Sequence, residues 1–208
     1  MLLGLEKWHY QALCPFYQIV KSKLFLCRRS CYHLIRGGFD KIAITDLTQA
    51  TQGFIKQWET LDFPCHGLIT GYFKNQIQLE DLAKFASEHN LPRFVDPIMA
   101  DNGRLYAGYE QDFVKAMREF CTKSDVIMPN LTEACLLADY PYLGETYDKT
   151  DIERLCERLS HLHNKHIILT GVSFEDDNVG LAHYDSKSGE ITYHFSKAIH
   201  IISLEQGI

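Results

Sequence analysis

Four short segments hold the residues whose types and spacing suit chemistry: Thr70-Gly71-Tyr72, Val95-Asp96-Pro97-Ile98-Met99-Ala100-Asp101-Asn102-Gly103, Met128-Pro129-Asn130-Leu131-Thr132-Glu133-Ala134 and Leu169-Thr170-Gly171-Val172. Asp96, Asp101 and Glu133 are carboxylates at neighbouring strand ends, and Asn130 adds an amide. Such a set suits Mg²⁺, which takes few protein oxygens and leaves its other positions to water and phosphate. Pro129-Asn130 ahead of a helix offers backbone N–H groups to a phosphate. Each segment also has an ordinary structural reading. Asp before Pro is a common strand-end turn, and Asn-x-x-Glu is a frequent helix-capping pair. Their joint order along one chain points to phosphate and metal chemistry.

The elements that must position them follow from periodicity. His66–Phe73, Phe94–Ile98, Asp125–Met128 and Ile167–Thr170 read as short buried strands, the second stopped by Pro97 and the last by Gly171. Gln78–His89, Gln111–Thr122 and Thr132–Tyr140 read as helices, with Phe113, Met117 and Phe120 on one side of the second. Thr150-x-x-Glu153 predicts a capping box for a further helix through His163. Val179–Tyr184 with Glu190–Phe195 reads as a hairpin. Strands alternating with helices predict an α/β fold, a mostly parallel central sheet flanked by helices and joined by right-handed crossovers. Ligands of such sheets bind outside the carboxyl ends of the strands, where the four segments fall.

Composition excludes several other classes. The chain is 46% hydrophobic and 12% aromatic, as expected of a globular domain, and its net charge of −6 opposes a phosphate-tracking nucleic-acid surface. No apolar run is long enough for a bilayer, and no signal-peptide order opens the chain, so the cytoplasm is the expected location. The seven cysteines form no Cys-x-x-Cys pair and read as reduced thiols rather than metal ligands. Residues 1–36 differ from the rest: Lys7, Lys21, Lys23, Arg28, Arg29 and Arg36 face a single acid, Glu6. Their aromatics follow neither a 3.6 nor a 2.0 period, so no reliable fold is expected there.

The order V-D-P-x-M-x-D-N-G, P-N-x-x-E-A and a strand ending in T-G-V resembles the ribokinase-like vitamin kinases. Gly37-Gly38-Phe39 followed by Thr45-Asp46-Leu47-Thr48, and the Thr70-Gly71-Tyr72 turn, look specifically like pyridoxal kinases. The resemblance spans Gly37 to Lys197, read as an incomplete kinase core. It implies transfer of the γ-phosphoryl group of ATP to the 5′-hydroxymethyl of a vitamin B6 vitamer, with Mg²⁺ and a homodimer as family expectations. By the same resemblance Asp96, Asp101, Asn130 and Glu133 lie around the ATP phosphates, with Asp101 and Glu133 on the metal. Thr170 and Gly171 lie along the nucleotide, and Tyr72 and Tyr106 on the substrate side. Ala100 departs from the family's usual Gly and puts a methyl at the phosphate turn. The runner-up substrate is hydroxymethylpyrimidine, whose kinases share the Asp-Pro-x-Met and Asn-x-x-Glu logic.

Two family landmarks are absent from this reading frame: an N-terminal Leu-Pro-Thr…Ser-x-His-Thr-Gly-Gly run and a C-terminal Gly-Thr-Gly-Asp. The latter supplies the anion hole and catalytic base that phosphoryl transfer requires. Read from the third base of each codon, Leu26–Gly38 allows Leu-Pro-Thr-Val-Val-Leu-Ser-Ser-His-Thr-Gly-Gly, and Ala198–Ile208 allows Tyr-Ser-Tyr-His-Phe-Pro-Gly-Thr-Gly-Asp. Leu5–Pro15 yields a family-like strand in the same register. Residues 1–36 and 198–208 are therefore expected to be out-of-frame translations flanking the core. No catalytic base is assigned within the chain. As written, it is expected to be inactive, either through altered reading of an active kinase gene or as a non-catalytic fragment of a decayed one.

Overall fold

A computed structural model describes residues 46–60, 65–175 and 177–197, together with the backbone of 25–27. Gly37-Gly38-Phe39, Thr45 and the 198–208 tail lie outside the described residues, as does most of 1–36. Nine strands and five helices are described: β1 (Phe25–Cys27), α1 (Thr48–Thr60), β2 (Leu68–Thr70), α2 (Gln76–Glu88), β3 (Arg93–Val95), β4 (Ala100–Asp101), β5 (Arg104–Leu105), α3 (Gln111–Thr122), β6 (Val126–Ile127), α4 (Leu131–Ala138), α5 (Lys149–Ser160), β7 (His166–Val172), β8 (Asn178–Asp185) and β9 (Glu190–Lys197).

Seven strands form one sheet in the order β1-β2-β3-β6-β7-β8-β9, and β4 pairs with β5 in a separate small hairpin. β1, β2, β3, β6 and β7 run parallel, while β7–β8 and β8–β9 are antiparallel. The expected α/β, mostly parallel sheet flanked by helices is the fold observed. Phe25–Cys27, within the stretch read as lacking a reliable fold, pairs with Leu68–Thr70 at the sheet edge.

Periodicity explains the packing. Phe113, Val114, Met117, Phe120 and Cys121 form the buried stripe of α3, and Ile152, Leu155, Cys156 and Leu159 that of α5. They close on Leu68, Val95, Ile127, Ile167 and Leu169 from the central strands in one core. Asn75 caps α2 by accepting from the Gln78 N–H.

Two expectations are corrected. The capping box of the fifth helix is Asp148 with Asp151, not Thr150 with Glu153. Asp148 lies outside the helix in extended backbone, where its carboxylate reaches the Asp151 N–H; Thr150 is already helical. The strand after α5 does not stop at Gly171 but continues to Val172, because the β7–β8 register shifts there and lets a residue at φ +72° stay in the ladder. Ala100, where the family usually has Gly, is fully buried in the core.

Candidate active site

The carboxyl ends of β2, β3, β6 and β7 lie side by side and are tied by backbone bonds. The Asp96 N–H donates to the Thr70 carbonyl at 3.0 Å, Met128 to Val95 at 2.8 Å, and Thr170 to Pro129 at 2.9 Å. The strand-end segments are thus one assembly, as their order along the sequence suggests.

The β4–β5 hairpin presents Asp101. Its two-residue turn, Asn102-Gly103, has φ of 49° and 73°, both positive, as a type I′ connection demands. The hairpin is fastened to the start of α4. Glu133 Oε1 accepts the Met99 N–H at 3.0 Å and the Ala100 N–H at 3.4 Å. Its Oε2 accepts the Asn130 N–H at 2.9 Å. The Asn130 side chain donates to the Ala100 carbonyl at 2.8 Å and accepts the Glu133 N–H at 2.9 Å, completing a capping box. Thr132 Oγ1 accepts the Gly103 N–H at 2.9 Å. The capping reading of Asn-x-x-Glu is therefore realised, and the same bonds place Asp101 beside the first turn of a helix.

A cleft of about 420 Å³ opens at this point. Of the residues singled out by sequence, Asp101, Asn130, Thr170 and Gly171 line it; Asp96, Glu133, Tyr72 and Tyr106 do not. Leu131 and Thr132 of the α4 first turn also line it. First-turn amides lack intrahelical acceptors and carry the positive end of the helix dipole, so this wall suits an anion. Gly171 has open space where a Cβ would stand, leaving the wall clear. The Thr170 hydroxyl leans back on the Pro129 carbonyl at 3.3 Å.

Behind the cleft, half-buried Asp96 and buried Glu133 form an acidic pair. Burial pushes the Asp96 carboxyl up to about 7. Glu133 also rises to about 7, chiefly through burial, while three backbone N–H bonds pull it down and the Asp96 charge adds to the rise. Among the described residues no hydrogen-bond donor meets the Asp96 carboxylate. Asp101 is exposed, and its Oδ1 accepts the Asn102 N–H at 3.0 Å. No described group of three His, Cys, Asp or Glu side chains is arranged around a common metal position.

Tyr72 and Tyr106 are half-buried on another flank. Tyr72 lies against the Tyr109 ring, and the Tyr106 N–H donates to the Met99 carbonyl at 2.9 Å. Sequence reasoning missed Tyr142, Tyr147, Ser173 and Phe174, which line the cleft. The Tyr147 hydroxyl accepts the Ser173 N–H at 2.9 Å. A signal was present: Pro141 and Gly144 mark 141–147 as a loop after α4, hence at the strand-end face.

Comparison with solved structures assigns the class. Pyridoxal kinase from Lactobacillus plantarum matches with a TM-score of 0.71 at 28% identity, covering 82% of this chain and 60% of its own. A candidate phosphomethylpyrimidine kinase from Bacteroides thetaiotaomicron has a TM-score of 0.71 at 26% identity, with 78% and 57% covered. An orthorhombic form of it was determined with pyridoxal. The fold is that of a ribokinase-like vitamin kinase.

The chain belongs to the phosphomethylpyrimidine kinase family, whose match runs over residues 40–199. A candidate hydroxymethylpyrimidine/phosphomethylpyrimidine kinase 2 of Schizosaccharomyces pombe is 28% identical over 151 residues, 66% of this chain. The present chain spans 27% of that protein's length and about three-fifths of the solved structures'.

Proposed function

We propose that the described core is the nucleotide-binding part of an ATP-dependent kinase that phosphorylates the 5′-hydroxymethyl group of a B6 vitamer. One observation carries the reading: a cleft joining a carboxylate, a helix N-terminus and an open glycine wall at the strand ends. In this reading the α4 first turn and the Thr170–Gly171 backbone face the phosphates. Asp101, exposed at the rim with a free carboxylate oxygen, suits a hydrated Mg²⁺ that arrives with the nucleotide. When bound, the metal neutralises charge on the transferring group. Both Glu133 oxygens accept backbone N–H groups, so Glu133 holds the Asp101 hairpin in place beside the metal position.

Pyridoxal is the favoured acceptor because the Thr70-Gly71-Tyr72 turn resembles pyridoxal kinases, and of two similar solved proteins one is named pyridoxal kinase and the other was determined with pyridoxal. Hydroxymethylpyrimidine is the second reading, favoured by the family match and the S. pombe relative. Catalytic competence depends on the Gly-Thr-Gly-Asp segment of the alternative register, so the 208-residue chain is expected to bind nucleotide without transferring phosphate. The test is a kinase assay on the chain with both registers restored, offering pyridoxal and hydroxymethylpyrimidine separately. Faster turnover of pyridoxal supports the reading. Preference for the pyrimidine, or measurable turnover by the unrestored chain, contradicts it.

A further inference from the structure

The residue that organises the substrate flank is one that no motif picks out. Tyr109 is buried two residues ahead of α3, its ring stacked on Phe113 with centroids 4.2 Å apart and planes 11° from parallel. From that fixed platform its hydroxyl donates to the carbonyl of Phe73, the residue after Tyr72. The Phe73 side chain is fully buried and meets Phe120 of α3 edge-on at 5.5 Å. Tyr72 itself lies against the Tyr109 ring at 5.7 Å. The Tyr109 N–H donates to the Tyr106 carbonyl at 3.1 Å, and the Tyr106 N–H in turn reaches Met99. One side chain therefore joins the turn after β2 to the loop after β5, and these carry the two aromatic candidates for the substrate flank.

We infer that Tyr109 is a positioning residue for the acceptor. It sets the Gly71–Phe73 turn through the Phe73 carbonyl, and hence the plane that Tyr72 offers to an aromatic ring. Ring stacking depends on offset and tilt over a few tenths of an ångström, so a turn released from this bond loses the stacking geometry. The cleft lined by Asp101 and Gly171 shares no residue with this assembly, so the weakening expected of Tyr109→Phe falls on the acceptor rather than on the nucleotide.

The inference rests on the pyridoxal reading, and its test separates the two. Pyridoxal and MgATP affinities are measured by fluorescence and calorimetric titration for the 208-residue chain and for Tyr109→Phe and Tyr109→Leu. The expected result is pyridoxal bound about fivefold to tenfold more weakly by Tyr109→Phe, the loss typical of one buried hydrogen bond. Tyr109→Leu, which also loses the stack, weakens it further. MgATP affinity stays within about twofold in Tyr109→Phe, which a merely structural defect would not allow. Unchanged pyridoxal binding in Tyr109→Phe overturns this inference alone, as does equal weakening of both ligands. Absence of pyridoxal binding by the parent chain overturns the acceptor reading and this inference with it.

Discussion

Replacing Glu133 by Ala removes the acceptor for the Met99 and Asn130 N–H groups at 3.0 and 2.9 Å, and the weaker Ala100 contact at 3.4 Å. The Met99 and Ala100 donors lie behind the cleft, where Glu133 and Ala100 are shielded from water, and Asn130 lines it. A hydrogen bond to a charged partner contributes about 1.5–3 kcal/mol, and a stranded buried donor costs about as much as the bond it lost. Two good bonds set the expected destabilisation of Glu133→Ala at about 3–5 kcal/mol. Glu133→Gln keeps one oxygen for Met99 and Ala100 but turns an amide N–H₂ toward the Asn130 N–H, so it loses about half as much. The assay is urea unfolding followed by far-ultraviolet circular dichroism at pH 8, above the value of about 7 to which burial moves Glu133. Hydrogen exchange adds a local signature: the Met99, Ala100 and Asn130 amides lose protection beyond the global change. A Glu133→Ala variant within about 0.5 kcal/mol of the parent chain would refute the view that this carboxylate fastens the Asp101 hairpin.

Three further outcomes follow from the same geometry. Asp96 has its folded value raised to about 7 from an ordinary 3.8, so between those values the folded chain holds a proton that the unfolded chain has released. Stability from this group is full at low pH and declines as pH rises through the window, by at most about 4 kcal/mol. Asp96→Asn is thus expected to be more stable than the parent at pH 8 and nearly equal to it at pH 4, in metal-free urea titrations; no gain at pH 8 contradicts the assignment. Gly103→Ala combines φ +73° with a Cβ 2.7 Å from the Tyr142 ring, and is expected to lower stability by about 1–3 kcal/mol. Adding Tyr142→Ala restores only the steric part, which calorimetric melting of the single and double variants resolves. Gly171→Ala, strained at φ +72° but in open space, is expected to weaken MgATP binding in a titration more than it lowers the melting temperature.

The strong periodicities were legible in the sequence. α3 occupies the expected 111–122; β8 extends the expected strand by one residue at each end, and β9 by two at its C-terminal end. The core strands β2, β3 and β6 are shorter than their apolar runs, because their ends turn into the segments that build the site. α1 was not legible: only Thr51 and Ile55 are buried, and Phe54 remains exposed, so no apolar stripe announces it. The β4–β5 hairpin was legible in principle from Asn102-Gly103, but two-residue strands show no alternation. At the site, the order of motifs named the four cleft residues Asp101, Asn130, Thr170 and Gly171. What separated Glu133 from them was burial and the backbone N–H bonds its carboxylate accepts, which depend on how α4 meets the hairpin and leave no mark on spacing.

The central claim, that the strand-end cleft takes a metal-bound nucleotide, is tested most directly by calorimetric titration of ATP into the 208-residue chain with and without Mg²⁺. The account predicts binding that strengthens with Mg²⁺ and weakens about tenfold in Asp101→Asn only when the metal is present. No MgATP binding, or binding indifferent to both the metal and Asp101, would contradict it.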